Sequence, residues 1–381
     1  MTKIGFVGWR GMVGSVLLDG IRREGGMEGM DPYFFTTSQT GQLGPSLLGE
    51  DARPLLSAYD TDELGKMDII VSCQGGDYSK DVYPKLKAAG WNQYWIDAAS
   101  AFRMDDDSLI VLDPVNGPQI EAAIQAGTKK FVGGNCTVSL MLMATAALFK
   151  EGLVEAVSAM TYQAASGGGA RHMKEFLAQM GELGDVYRSH KDAPILDLDG
   201  RITQKLNDGT LDTSCFKAPL AANILPWIDS QVDDGQTREE WKADAEGNKI
   251  LGGPKRIPFD GICVRVGALR CHSQALTIKL NREIAPSEVE DLLRQSHEWI
   301  KVVPNQPEAT LRDLTPAAVT GTSTIAVGRI RNSLWGKDYI SMFTVGDQLL
   351  WGAAEPLRRT ILILKKYLTG GSERSRAHYL S

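Results

Sequence analysis

The chain has 381 residues, 43% hydrophobic and 23% charged, with a formal net charge of −6. That length exceeds what one hydrophobic core usually organises, so two domains are expected. The acidic balance, without any basic run or stripe, argues against a nucleic-acid-binding role.

The five cysteines, Cys73, Cys136, Cys215, Cys263 and Cys271, are odd in number and scattered. With no Cys-x-x-Cys pair they form no disulfide framework, which suits a reducing cytoplasm. Cys271 and His272 are the only close Cys/His neighbours, and adjacent strand residues point to opposite faces, so no metal site is expected. The longest mostly apolar stretch, residues 138–149, is too short to span a bilayer and reads as a buried helix. The first eight residues are interrupted by glycines and followed by an early arginine, unlike a signal peptide.

Residues 3–7 read as a short apolar strand. They run into Gly8-Trp9-Arg10-Gly11-Met12-Val13-Gly14 and then a segment of helical spacing, 15–21. Strand, glycine turn and helix form the dinucleotide-binding arrangement: glycines admit a pyrophosphate and the helix start supplies N–H donors. The spacing is Gly-x-x-Gly-x-x-Gly, not Gly-x-Gly-x-x-Gly, and a tight structural turn would also explain it.

A second strand ends at Thr36-Thr37-Ser38. An NAD enzyme usually carries an acid there for the ribose 2′-hydroxyl. Hydroxyls, with Arg10 in the first turn, suit a 2′-phosphate and favour NADP; an ordinary Thr/Ser turn is the other reading. Residues 67–73 form a buried strand ending at Gln74-Gly75-Gly76, and helical spacing follows over 79–89. Residues 95–100 form the next strand, with Arg103 at its exit, where it suits an anion or simply lies on the surface. A strand at 109–113, a helix at 120–126 and a strand at 130–133 complete the alternation. The pattern implies an α/β fold with a Rossmann-type parallel sheet and ligands at the strands' carboxyl ends.

The last strand leads into Gly133-Gly134-Asn135-Cys136-Thr137-Val138-Ser139 and the apolar run. A cysteine in the first turn of a helix faces unpaired N–H groups and the positive end of the helix dipole, which favour a thiolate. Such a thiolate is a nucleophile, and the neighbouring N–H groups are candidates to hold an oxyanion. A buried cysteine acting as a small hydrophobe is the competing reading.

Past residue 150 the pattern changes to that of an α+β domain. A strand at 157–163 ends at Gln163 and precedes Ser166-Gly167-Gly168-Gly169, which opens a helix over 171–180. A helix beginning near Thr237 places Glu239 and Lys242 on one face. Residues 260–280 read as one long strand with a break at Gly267. Alternation puts Arg270 and His272 on one face, and the break is a way to bring Arg265 round to it. His272 is the candidate base and His172, after the glycines, its rival; His190 and His297 read as exposed and His378 falls in a polar tail.

Taken together, Gly-Trp-Arg-Gly-Met-Val-Gly at 8–14, Gly-Gly-Asn-Cys-Thr-Val-Ser at 133–139, Ser-Gly-Gly-Gly-Ala-Arg at 166–171 and Arg-Val-Gly-Ala-Leu-Arg-Cys-His-Ser-Gln at 265–274 resemble aspartate-semialdehyde dehydrogenase of the Gram-negative bacterial kind. The resemblance runs to about residue 366. It implies a Rossmann-type parallel sheet domain plus an α+β catalytic and dimerisation domain, with the C-terminal helix returning to the first domain. The expected ranges are 1–134 and 354–368 for cofactor binding, 135–353 for catalysis and dimerisation, and 369–381 as a disordered tail.

The resemblance further implies Cys136 as nucleophile and His272 as acid–base group. Gln163, Glu239 and Arg265 would bind substrate, and Arg103, Asn135 and Lys242 phosphate. NADP would contact Gly8, Arg10, Gly11, Met12, Val13, Thr37, Ser38, Gln74, Ser166, Gly167, Pro194 and Gln348. The implied reaction is reversible, NADP-dependent reductive dephosphorylation of aspartyl 4-phosphate through a cysteine thioester, in lysine, threonine and methionine biosynthesis. The implied assembly is a cytoplasmic homodimer with no metal, membrane or nucleic-acid partner. A related N-acetylglutamyl-phosphate reductase, a cysteine acyltransferase or hydrolase without a redox step, and a non-catalytic nucleotide sensor are the competing readings.

Overall fold

The computed structural model describes residues 1–232 and 235–368. The expected tail, 369–381, lies outside the described residues. By its contacts the chain forms two compact units.

The first unit comprises Met1–Leu142, Ala245–Arg256 and the described residues from Leu349. Its strands are β1 (Thr2–Val7), β2 (Met30–Thr36), β3 (Leu56–Ser57), β4 (Ile69–Ser72), β5 (Tyr94–Asp97), β6 (Ser108–Val111) and β7 (Lys130–Gly133). They make one sheet in the order β3-β2-β1-β4-β5-β7-β6, with every pair parallel. All four residues of β4 are buried, as expected where both faces of a parallel sheet are covered.

The helix Met12–Glu24 buries Leu17, Leu18 and Ile21 on one face. The helix Glu355–Leu368 adds Leu357, Ile361 and Leu364 to the same cluster, at i, i+4 and i+7 spacing. Tyr78, Tyr83, Trp95 and Phe102 fill a second core. Strand order reverses between β1 and β4, which opens a crevice beyond their carboxyl ends. Two differences from the expected ranges stand out. Residues 245–256 join this unit from mid-chain, and the unit runs on to Leu142, so it includes Cys136.

The second unit comprises Met143–Asp244 and Ile257–Gln348. Its strands are β8 (Val154–Gln163), β9 (Phe259–Asp260), β10 (Cys263–Arg265), β11 (Cys271–Leu280), β12 (Ile300–Val302), β13 (Ile325–Ser333) and β14 (Gly336–Asp347). Six follow the order β10-β8-β11-β14-β13-β12, and β9 also pairs with β8. The sheet is mixed: β8 runs antiparallel to β11 and parallel to β10.

The single strand expected over 260–280 is therefore three strands. β10 and β11 flank β8 on opposite sides and run in opposite directions. The connecting residues cross the end of β8, where Ala165 N–H donates to Ala268 O at 2.8 Å, Ser166 N–H to Leu269 O at 3.0 Å and Val266 N–H to Gln163 O at 3.0 Å. Gly267 lies in this crossing, where a Cβ would stand 3.3 Å from the Phe176 ring. Among the described residues no helix is long and apolar enough to cross a membrane.

Candidate active site

In the first unit the crevice at the strand reversal is a cavity of about 350 Å³, walled by the 8–11 turn, the end of β2 and residues Cys73 and Gln74. Gly8 has φ of +72°, and a Cβ there would lie 2.5 Å from backbone atoms of Cys73 and Gln74, so only glycine fits. The helix that follows begins at Met12 and Val13. Its N-cap, Gly11, offers no side-chain cap, and the first-turn N–H groups keep their polarity for an external acceptor. Arg10 Nη2 donates to Thr36 Oγ1 at 3.0 Å and to Ser38 Oγ at 3.4 Å, gathering the guanidinium and hydroxyls at the end of β2, with Thr37 on the cavity wall. This donor set and the glycine cradle fit a nucleotide phosphate. Cys73, on the same wall, stays a thiol, its pKa pushed up to about 12 by burial and by the Asp97 charge.

The helix Cys136–Lys150 begins at the candidate nucleophile. Its N-terminus is capped, which takes the N–H groups of Thr137 and Val138 out of the expected oxyanion donors. Asn135 Oδ1 accepts from the N–H of Thr137 at 3.0 Å and of Val138 at 3.2 Å, while Asn135 O accepts from Ser139 N–H at 2.8 Å. The N–H groups just after Cys136 are therefore committed to the cap. Asn135 and Arg103 are both buried. Arg103 donates from Nε to Gly133 O at 2.7 Å, from Nη2 to Gly134 O at 3.0 Å and from Nη1 to Glu246 at 3.1 Å. The surface reading of Arg103 is overturned, because backbone carbonyls and a carboxylate draw it inward.

In the second unit Gln163, at the end of β8, donates from Nε2 to Glu239 Oε1 at 3.2 Å. The other oxygen of Glu239 accepts from Lys242 Nζ at 2.9 Å, and Lys242 also donates to Asp229 Oδ2 at 2.9 Å. Burial opposes the Lys242 charge, yet the two carboxylates hold its pKa above the usual lysine value. Glu239 and Lys242 lie a turn apart on the helix Arg238–Leu251, so their pairing follows from the i, i+3 spacing.

Arg265 and His272 meet at Ala164, beyond β8. Arg265 Nη1 donates to Ala164 O at 2.7 Å, and Ala164 N–H donates to His272 Nδ1 at 3.0 Å. An imidazole that accepts at Nδ1 carries its proton at Nε2 when neutral. Burial, and then the Arg265 charge, push the His272 pKa down to about 3, with Glu239 opposing. Gly167 packs against both side chains; a Cβ there would be 2.8 Å from Arg265 Nη1 and 3.1 Å from His272 Cε1. Ser166 Oγ donates to Arg270 O at 3.0 Å and accepts from Gln348 Nε2 at 2.8 Å. Pro194 stands at the start of the helix Ile195–Asn207.

Arg270 lies outside the strand whose alternation was expected to align it with His272. It precedes β11 and pairs with Asp347 at 2.7 Å. The rival His172 packs edge-on against Phe216. His190 and His297 are half-buried, each with a ring nitrogen 3.0 Å from a backbone carbonyl, of Val186 and Met143 respectively. His378 lies outside the described residues.

Three participants escaped the sequence reading: Ala164, Asp229 and Glu246. Ala164 acts through its backbone, which leaves no mark on residue type. Asp229 lies 13 residues before its partner, in an irregular stretch. Glu246 had one available signal, its place four residues after Lys242 on the same helix.

Residues 146–351 match a family model described as semialdehyde dehydrogenase, dimerisation domain, and residues 3–123 one described as semialdehyde dehydrogenase, NAD binding domain. The chain is similar to aspartate semialdehyde dehydrogenase from Francisella tularensis at 50% identity and a TM-score of 0.92, over 96% of this chain and 100% of that one. The fold is also that of aspartate semialdehyde dehydrogenase II from Vibrio cholerae, solved complexed with ASA, at 23% identity and a TM-score of 0.79, over 96% and 99% of the two chains. It is shared too by aspartate semialdehyde dehydrogenase from Candida albicans, solved with NADP, at 17% identity and a TM-score of 0.65, over 96% and 98%.

Proposed function

Because the chain belongs to the aspartate-semialdehyde dehydrogenase family, we propose that it interconverts aspartyl 4-phosphate and aspartate 4-semialdehyde with NADP(H), through a thioester on Cys136. The observation that carries the reading is that one chain holds both a half-buried cysteine at a helix start in its first unit and, in its second, a buried Gln163–Glu239–Lys242 and Arg265–His272 set of the kind a small amino acid requires.

In the reductive direction the Cys136 sulfur attacks the acyl phosphate carbon. The C–O bond to phosphate breaks, and thioester and inorganic phosphate form. Gly8, Arg10, Gly11, Met12, Val13, Thr37, Ser38 and Gln74, with Ser166, Gly167, Pro194 and Gln348, would hold the nicotinamide cofactor, which when bound would supply the hydride that reduces the thioester. Collapse of the resulting thiohemiacetal releases aldehyde and thiolate. Sulfur suits the relay because a thiolate leaves more readily than an alkoxide.

His272, neutral and protonated at Nε2, would donate to the substrate oxygen as negative charge develops there, a task for which the N–H groups of Thr137 and Val138, bonded to Asn135 Oδ1, are not available. Arg265 would grip the α-carboxylate and Glu239 the α-ammonium; a buried carboxylate has no use for an acetylated, uncharged nitrogen. Lys242, Arg103 and Asn135 would receive phosphate. Lys242 would then exchange Asp229 for the incoming anion. The hydroxyls and Arg10 at the end of β2 support NADP over NAD. Met160 and Tyr162, exposed on β8, support a homodimer through this sheet, and the dispersed free cysteines support a cytoplasmic setting. The product would feed lysine, threonine and methionine synthesis.

The test is a spectrophotometric assay with aspartate semialdehyde, inorganic phosphate and NADP, run on wild type and Cys136→Ala. Phosphate-dependent NADPH formation that disappears in the variant, with NADP affinity within about twofold by calorimetry, is the expected result. Undiminished turnover in the variant sinks the thioester. Activity with only an acetylated substrate moves the protein to the neighbouring reductases.

A further inference from the structure

Glu246 is 2% exposed and belongs to the first unit. Its Oε1 accepts from Arg103 Nη1 at 3.1 Å and its Oε2 from the Asn135 N–H at 2.7 Å. Arg103 in turn holds the carbonyls of Gly133 and Gly134. The backbone groups that lead into Cys136, two carbonyls and one N–H, are thus tied to a single buried ion pair.

The chain returns from 111 residues further on to make the contact at Asn135. A buried ion pair adds little net stability over an apolar pair of the same volume, and its best-attested use is to specify one geometry. Here the geometry specified is that of a glycine-rich segment, which has the most conformational freedom to lose. Arg103 is well suited to the task, because a planar guanidinium fixes several acceptors at once where an ammonium would not. Three of its five N–H donors are committed in this way.

We propose that Glu246 is a positioning residue for the nucleophile: through Arg103 and the Asn135 amide it sets the peptide entering Cys136, and with it the line along which the sulfur approaches the acyl carbon. This rests on the reaction proposed above. Glu246 touches no reacting atom in that scheme. Its influence passes through residues 133–135, and it also fixes the directions in which Arg103 presents its other donors to an anion. The same helix carries Glu239 and Lys242, seven and four residues earlier.

Two variants separate the two arms of the carboxylate. Glu246→Gln keeps a carbonyl oxygen for the Asn135 N–H but turns an amide NH₂ against Arg103. Glu246→Ala removes both contacts. The full-length protein is followed by steady-state kinetics, calorimetry with NADP and amide hydrogen exchange. Glu246→Gln should lower kcat about tenfold with exchange at Asn135 close to wild type. Glu246→Ala should lower kcat about a hundredfold and speed exchange at Asn135 at least about tenfold. In both, KM for aspartate semialdehyde and NADP affinity should stay within about threefold.

A kcat within about threefold of wild type in a folded Glu246→Ala protein overturns the proposal. So does exchange that rises evenly across β1–β7, which marks a residue that only holds the fold. Should Glu246→Ala not fold, the kcat of Glu246→Gln decides alone. If wild type itself shows no turnover, the proposed function falls, and unchanged exchange at Asn135 in Glu246→Ala would separately remove Glu246 from the loop.

Discussion

The backbone N–H of Ala164 donates to His272 Nδ1 at 3.0 Å, and this one bond places the imidazole proton on Nε2. Burial and the Arg265 charge hold the ring neutral, with its pKa down to about 3 from 6.5. Between those values the unfolded chain binds a proton at this position that the folded chain does not. The contribution of His272 to stability is therefore complete above about pH 6.5 and is lost as pH falls toward 3, with a limiting slope of about 1.4 kcal/mol per pH unit. Denaturant titrations from pH 7 to pH 4 should show a shallower acid loss in His272→Asn than in wild type. Parallel curves would mean that the ring is charged in the native state. Nitrogen NMR on labelled protein should show a protonated Nε2 and an unprotonated Nδ1.

Arg265→Lys should raise KM for aspartate semialdehyde at least about tenfold, with a smaller change in kcat. A lysine keeps the charge but loses the fork that can hold Ala164 O and a carboxylate together. A KM close to wild type would take the carboxylate-binding role away from this side chain.

Gly167→Ala tests how tightly the two side chains are set. The added Cβ would stand 2.8 Å from Arg265 Nη1 and 3.1 Å from His272 Cε1, and both groups must shift to admit it. The fold should survive with a melting temperature within a few degrees, while kcat/KM falls about tenfold to a hundredfold. Full activity would show that neither side chain needs its observed place.

Arg10→Ala should weaken NADP binding roughly tenfold while leaving NAD binding within about twofold, because the guanidinium gathered with Thr36 and Ser38 suits a 2′-phosphate. Calorimetry with both nucleotides reads the difference. Equal losses for the two would mean that Arg10 contacts a group common to both.

The parallel sheet and its glycine turn were legible because both rest on local pattern. Apolar runs such as Ile69–Ser72 alternate with helical spacing, and Gly8 sits where no side chain fits. The start of the Cys136 helix was legible for the same reason: glycines give way at once to an apolar run. What the pattern missed was competition for the same groups. The N–H donors after Cys136 look available in a sequence until the Asn135 amide oxygen folds back onto them. Residues 260–280 misled differently. A strand and a reversal are equally apolar, and only Gly267 hinted at the crossing over β8.

Residue types and their spacing along the chain decided which chemistry was on offer: a thiol at a helix start, a glutamate and a lysine one turn apart, a glycine cradle for phosphate. These are properties of neighbours within a few residues, where backbone geometry is set by local sterics. Folding decided how that chemistry is held. The tautomer of His272, the capture of Arg103 by backbone carbonyls and the anchoring of Asn135 by Glu246 all depend on partners at least 30 residues apart in the chain. One of those partners, in the case of His272, is a backbone amide present in nearly every residue, whose position no side chain announces. Burial then magnifies each contact, because a polar group removed from water must take its state from the few atoms that remain around it.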